Sequence, residues 1–278
     1  MTSRLTEFHS DGLRFDVLDA GPLDGEVIIA LHGFPQRASS WSQVAPLLTA
    51  AGYRVLAPDQ RGYSPDASPS EVEAYRLDHL ADDVLALADA AGVDRFHLLG
   101  HDWGGGVAWY VAARDPDRLR TLSVASLPHP RAMFKALRGP QALRSWYLAV
   151  FQLPWLPEAV LALGEGSVAE RLLTSAGSVR PVEGARLLSD PATARGPINW
   201  YRAMRMPTAV PIEKITVPTL YVWSDEDTAL GGKGALLTAR WVSGPYRFEI
   251  LTGVSHWIPE ERPADLARLV LSWIAQNA

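Results

Sequence analysis

FHLLGHDWGGG, residues 96–106, decides the fold, because it joins a wholly apolar run to the start of a glycine-rich helix. FHLLG at 96–100 reads as a strand covered on both faces, the mark of a parallel sheet. The pattern turns helical over 104–119, and Asp102 stands in the turn between. Small residues are needed there because the strand bends sharply into the helix and the backbone must pass close by. The same bend lifts the side chain at 102 above the carboxyl edge of the sheet, where open α/β sheets bind ligands.

The sequence repeats this rhythm on both sides. A hairpin over 5–9 and 13–18, turning at Ser10-Asp11-Gly12, precedes the apolar run VIIALHG at 27–33. A helix over 39–52 carries Trp41, Val44, Leu47 and Leu48 on one face; the strand 53–59, the helix 76–92 and the strand 121–127 complete the first part. From 129 to about 211 strand-like runs cease, and helical pieces at 141–151, 158–163, 168–173 and 198–205 are broken by Pro and Gly. Strands at 218–224 and 246–251 and helices at 234–241 and 263–274 then resume the alternation. The expected architecture is α/β, a mostly parallel sheet flanked by helices, with core parts at 1–128 and 214–278 and a helical insertion at 129–213.

Composition bounds the function. The 278 residues are 47% hydrophobic and 9% aromatic, ample for a packed core. Lys+Arg 26 against Asp+Glu 31 leaves a net charge of −5, a poor surface for nucleic acid or anionic membranes. With Cys 0 there is no disulfide, thiolate nucleophile or cysteine-bound metal. No residues cluster with metal-ligand spacing, so neither metal nor cofactor is expected. No secretory h-region opens the chain, and no run of about 18 apolar residues could span a bilayer, so a cytoplasmic location is expected. The ten tryptophans fit either core packing or a large apolar pocket.

Asp102 occupies the G-x-nucleophile-x-G position at which serine hydrolases carry Ser. A carboxylate at a helix N-terminus is held ionised and is a nucleophile with no proton to lose. The same Asp could equally be an ordinary N-cap, and the turn alone leaves the two readings level. A carboxylate nucleophile makes an ester, whose release needs a His with an orienting acid, plus N–H donors for an oxyanion. His256 follows the strand 246–251, and Asp225 and Asp227 follow the strand 218–224, giving the chain order nucleophile, acid, base. The other histidines have structural settings, His9 and His97 on strands, His79 on a helix, and His101 and His129 in turns, and His32 in LHGFP is expected to brace a loop. That loop can aim the N–H of Phe34 at the site, with the N–H of Trp103 as second donor.

LHGFPQ, APDQRGYSPD, GHDWGG, SDEDTAL and GVSHWIPEERP together resemble the soluble epoxide hydrolases of the α/β-hydrolase superfamily, along nearly the whole chain. The resemblance implies an eight-stranded α/β-hydrolase sheet with a helical cap. It implies Asp227 as the acid, Asp225 being the runner-up and Ser224 standing where relatives often have Gly. It further implies two cap tyrosines that hold and protonate the epoxide oxygen. Tyr147 stands four residues before Phe151 of a Phe-Gln-x-Pro stretch, and Tyr201 lies in an Asn-Trp-Tyr-Arg run.

The reaction so implied is hydrolysis of an epoxide to a vicinal diol through an Asp102 ester. The alternative is a haloalkane or haloacetate dehalogenase with the same Asp-His-Asp set, in which Trp103 and the Trp146 indole would cradle halide. The tyrosine pair favours the first, since halide departs without a proton. A catalytically silent receptor would have no need of the whole set. Trp146, Leu148, Phe151, Leu153, Trp155 and Leu156 suggest an apolar pocket, with Trp146, Phe151 and Trp257 the expected substrate contacts. The partners expected are therefore a small apolar epoxide and water. Assembly is left between monomer and homodimer.

Overall fold

The computed structural model describes residues 3–277. Strands β1 (Glu7–Ser10), β2 (Leu13–Ala20), β3 (Val27–Leu31), β4 (Arg54–Pro58), β5 (Phe96–His101), β6 (Leu119–Ala125), β7 (Thr219–Ser224) and β8 (Tyr246–Leu251) form one sheet in the order β1-β2-β4-β3-β5-β6-β7-β8. The pairs β1/β2 and β2/β4 are antiparallel and all others parallel. Period-2 alternation explains the continuous apolar runs. In β3, Ile29 and Leu31 enter one core layer while Ile28 and Ala30 enter the other.

Helices α1 (Ala45–Ala50), α2 (Leu77–Ala90) and α3 (Trp103–Arg114) fill the first crossovers. Between β6 and β7 the described residues form seven helices and no strand: α4 (Pro130–Ala136), α5 (Gln141–Arg144), α6 (Tyr147–Val150), α7 (Leu156–Leu161), α8 (Ser167–Ser175), α9 (Pro181–Leu188) and α10 (Pro191–Ala203). They bury a small core of their own around Leu161, Ala169, Ala185, Leu188, Ala194 and Ile198. Helices α11 (Gly232–Thr238), α12 (Ile258–Glu261) and α13 (Pro263–Asn277) close the chain. Among the described residues no helix is long and apolar enough to cross a membrane.

Three local expectations need correction. The helix expected over 39–52 is a 3₁₀ turn at Ala38–Trp41 followed by α1, because Pro46 can sit only in a first helical turn. Leu47 is accordingly exposed rather than on the buried face. The helix expected over 141–151 breaks into α5 and α6 at Ser145, whose hydroxyl accepts from the Gln141 side chain. Helices α4 and α9 were not expected. Each begins at a proline, and His129, expected in a turn, caps α4 by accepting from the Arg131 N–H.

Candidate active site

Close backbone packing builds the site before any chemistry enters. A Cβ on Gly104 would lie 2.3 Å from the Leu31 carbonyl oxygen, and one on Gly33 would lie 2.5 Å from the Asp102 Cβ. Only glycine lets α3 start this close to the end of β3. Asp102 is driven to φ 50°, ψ −120°, a costly conformation for a residue with a side chain. Its carboxylate caps no N–H of α3, which removes the N-cap reading. Oδ1 instead accepts from the Phe34 N–H at 2.9 Å. Trp103 opens α3, so its N–H is among the helix-start donors with no intrahelical partner.

His256 follows β8 and stands between two carboxylates. Its Nδ1 is 2.7 Å from Asp227 Oδ2, and its Nε2 is 3.5 Å from Asp102 Oδ2. The other oxygen of Asp227 accepts from the Ala229 and Leu230 N–H groups at 2.8 and 2.7 Å, fixing the carboxylate from behind. Asp225 is exposed and accepts from the Gly253 N–H, and Glu226 is exposed as well. The geometry therefore joins Asp227, and not Asp225, to His256. Burial works against the imidazolium, but Asp227 and Asp102 outweigh it and raise the His256 pKa to about 10. Burial likewise opposes the Asp102 carboxylate, yet His256 and the Phe34 N–H hold its pKa below the usual value.

Above these groups lies a cavity of about 500 Å³ lined mainly by apolar side chains. Tyr147 and Tyr201 both face it, their rings edge to face with centroids 6.0 Å apart. Burial, with the Asp102 charge adding to it, raises both phenol pKa values, so both remain O–H donors at neutral pH. The two tyrosine motifs are clamped together: Gln152 Nε2 donates to the Tyr201 carbonyl at 2.7 Å. Arg202 grips the buried Glu158 and donates to the Leu153 carbonyl.

Phe151 and Trp257 line the cavity, and Trp146 lines it while remaining 58% exposed. Leu148, Leu153 and Trp155 do not line it, and Trp155 is 71% exposed, so that apolar stretch is only partly pocket wall. Val160, Leu172 and Leu188 complete the wall from α7, α8 and α9; their ordinary helical spacing carried no signal in the sequence. Three of the tryptophans, Trp41, Trp109 and Trp200, are simply core. His32 braces its loop, Nδ1 meeting the Gly33 carbonyl and Nε2 accepting from the Gln60 N–H. His101 is no turn residue: it ends β5, is fully buried, and places Nε2 2.9 Å from the His256 carbonyl oxygen.

This sheet, with an Asp at the β5–α3 bend and a His after β8, defines a class. The alpha/beta hydrolase fold family matches residues 26–263, and the chain belongs to it. It is 36% identical to the AB hydrolase superfamily protein YfhM of Bacillus subtilis over 96% of each chain. It is 31% identical to epoxide hydrolase A of Mycobacterium tuberculosis, over 98% of this chain and 97% of that one. A solved structure from work on novel epoxide hydrolases in metagenomes from hot environments superposes with a TM-score of 0.83, at 29% identity over 99% of both chains. Within the family the chain stands with the epoxide hydrolases.

Proposed function

We propose that the protein hydrolyses an apolar epoxide to a vicinal diol, with the cap formed by residues 129–213. The observation that carries this reading is the convergence of Asp102, His256, Tyr147 and Tyr201 on one apolar cavity. An Asp102 oxygen attacks an epoxide carbon, and the ring C–O bond breaks. The charge grows on the ring oxygen, which Tyr147 and Tyr201 hold until one phenol gives it a proton. Water then attacks the ester carbonyl carbon and gives a proton to His256, which Asp227 holds in the required tautomer. The oxyanion rests on the Phe34 and Trp103 N–H groups. Collapse expels the diol oxygen, which takes the proton from His256. The proton left on the Asp102 carboxyl restores the phenol, so the sum is epoxide plus water to diol.

The dehalogenase reading is weakened by the exposure of Trp146, a poor setting for an indole meant to desolvate a halide. Single turnover in heavy-oxygen water tests the proposal. The diol should be unlabelled and the label should enter the Asp102 peptide. Label in the diol of that first turnover would mean direct attack by water.

A further inference from the structure

Against the His256 backbone lies a buried row of polar side chains that the proposed reaction does not use. His101 Nε2 is 2.9 Å from the His256 carbonyl oxygen, which also accepts from Ser126 Oγ at 2.9 Å. His101 Nδ1 is 3.0 Å from Gln36 Oε1. The far amide atom of Gln36 and the Oε2 of Glu260 are both buried without a partner. Both residues line one small cavity of about 10 Å³, the size of a single water.

Hydrogen-bond logic gives this row a direction. A carbonyl only accepts, so His101 must carry its proton on Nε2. Burial holds His101 neutral, with a pKa lowered to about 4, so Nδ1 is a bare acceptor. The Gln36 amide, whose two ends are alike in shape, must then be turned over so that its NH₂ faces His101 and its oxygen faces Glu260. That oxygen needs a donor, which a protonated Glu260 supplies directly or across one water.

We propose that Glu260, acting through Gln36 and His101, is a positioning residue for His256: its carboxylic acid orients a one-way chain of donors that holds the His256 backbone in place. When Glu260 ionises, the Gln36 NH₂ turns to the carboxylate and its oxygen meets Nδ1. The His101 proton is then drawn to Nδ1, and a lone pair faces the His256 carbonyl.

The surroundings of Glu260 suit a switch near neutrality. Burial raises its pKa to about 7, against the nearby Arg180 and a Gln36 NH₂ turned toward it, with Glu183 adding to the rise; a Gln36 oxygen turned toward it instead removes that opposition and favours the acid further. Arg180 Nε stays 3.9 Å away and also faces Glu183. Glu261 turns away onto the N–H and hydroxyl of Ser255. Around His101 the charged or titratable neighbours are His256, Asp102 and Asp227.

The inference rests on His256 acting in ester hydrolysis, and the test separates the two. A substrate-labelled Asp102 ester is formed in a single turnover with an aryl epoxide, and its formation and decay are timed by mass spectrometry from pH 6 to 9. In the wild type, ester decay should slow about tenfold as pH rises through the Glu260 transition, the scale of one hydrogen bond. Glu260→Gln, whose amide still donates at every pH, should lose that limb while decaying at the low-pH wild-type rate. Gln36→Met should decay about tenfold slower throughout, with a flat alkaline limb. Superimposable alkaline limbs in wild type and Glu260→Gln would overturn the proposal, as would wild-type decay in Gln36→Met. Failure of His256→Gln to accumulate ester would instead overturn the role of His256 itself.

Discussion

At the scale of the residue, the chemistry proposed for Asp102 and His256 changes the field each feels. The free enzyme holds His256 between two carboxylates, and its pKa is raised to about 10. Esterification removes the Asp102 charge, so only Asp227 still favours the imidazolium; the pKa must fall, His256 releases its proton to water, and it takes one back when the Asp102 carboxylate is regenerated. The base is therefore switched on by the step that creates its task. The acid limb for ester decay, measured with preformed ester, is expected well below pH 10; a limb at 10 would contradict this. His256→Gln should gain the mass of one substrate and then stall. Tyr147 and Tyr201 share one developing charge, so each Phe variant should keep part of the alkylation rate. The double variant should lose about 100- to 1000-fold, the scale for positioned donors. Alkylation by Tyr147→Phe/Tyr201→Phe at the wild-type rate would return the dehalogenase reading to contention.

At the scale of the element, the position of Tyr201 depends on how α10 meets the core. A Cβ on Gly196 would lie 2.6 Å from the Gly62 Cα and 2.7 Å from its carbonyl oxygen, so backbone packs on backbone here. Trp200 Nε1 donates to the Arg61 carbonyl at 2.8 Å, and Asn199 donates to that of Ser70. Gly196→Ala must push α10 outward, carrying the phenol with it. We expect a loss of about 1–3 kcal/mol in stability, the usual cost of overpacking, with slower alkylation than ester decay. Thermal melts and the two single-turnover rates check this, and an unchanged alkylation rate would refute it. The contact also shows what the sequence could carry. Strands such as β3 and β5 were legible because burial on both faces writes an unbroken apolar run. Asp102 was legible because it follows such a strand, and His256 because it follows β8, whose apolar residues alternate with Arg247 and Glu249. The break at Ser145 was not, since it depends on Gln141 bonding to Ala229 and Gly231 some 90 residues away. The support behind His256 was equally hidden, because Gln36 comes from a loop, His101 from the end of β5 and Glu260 from α12, far apart in the chain.

At the scale of the whole molecule, packing has left several histidines without water, and this sets the response to acid. Burial lowers the pKa of His32, His101 and His129 to about 4 each, and lowers that of His97 as well. Their unfolded-state value is about 6.5. Between pH 6.5 and 4 the unfolded chain therefore binds protons that the folded chain refuses, and stability falls as pH falls. His256 does not offset this, because its raised pKa gives a contribution already complete below pH 6.5 and lost only on going up through about 10. Glu260 does oppose it, since its folded pKa of about 7 lets the native state take a proton first. Three histidines against one carboxyl leave about two protons, a limiting slope of about 2.7 kcal/mol per pH unit. For a chain of this length each kcal/mol moves Tm by roughly 2 °C. Melts at pH 7, 6 and 5 should thus show Tm dropping by several degrees per unit below 6.5. In Glu260→Gln, which lacks the opposing carboxyl, the drop should be steeper. A Tm that stays level or rises between pH 6.5 and 5 would mean that these imidazoles accept protons in the folded state, and that their polar partners are not the fixed acceptors and donors described.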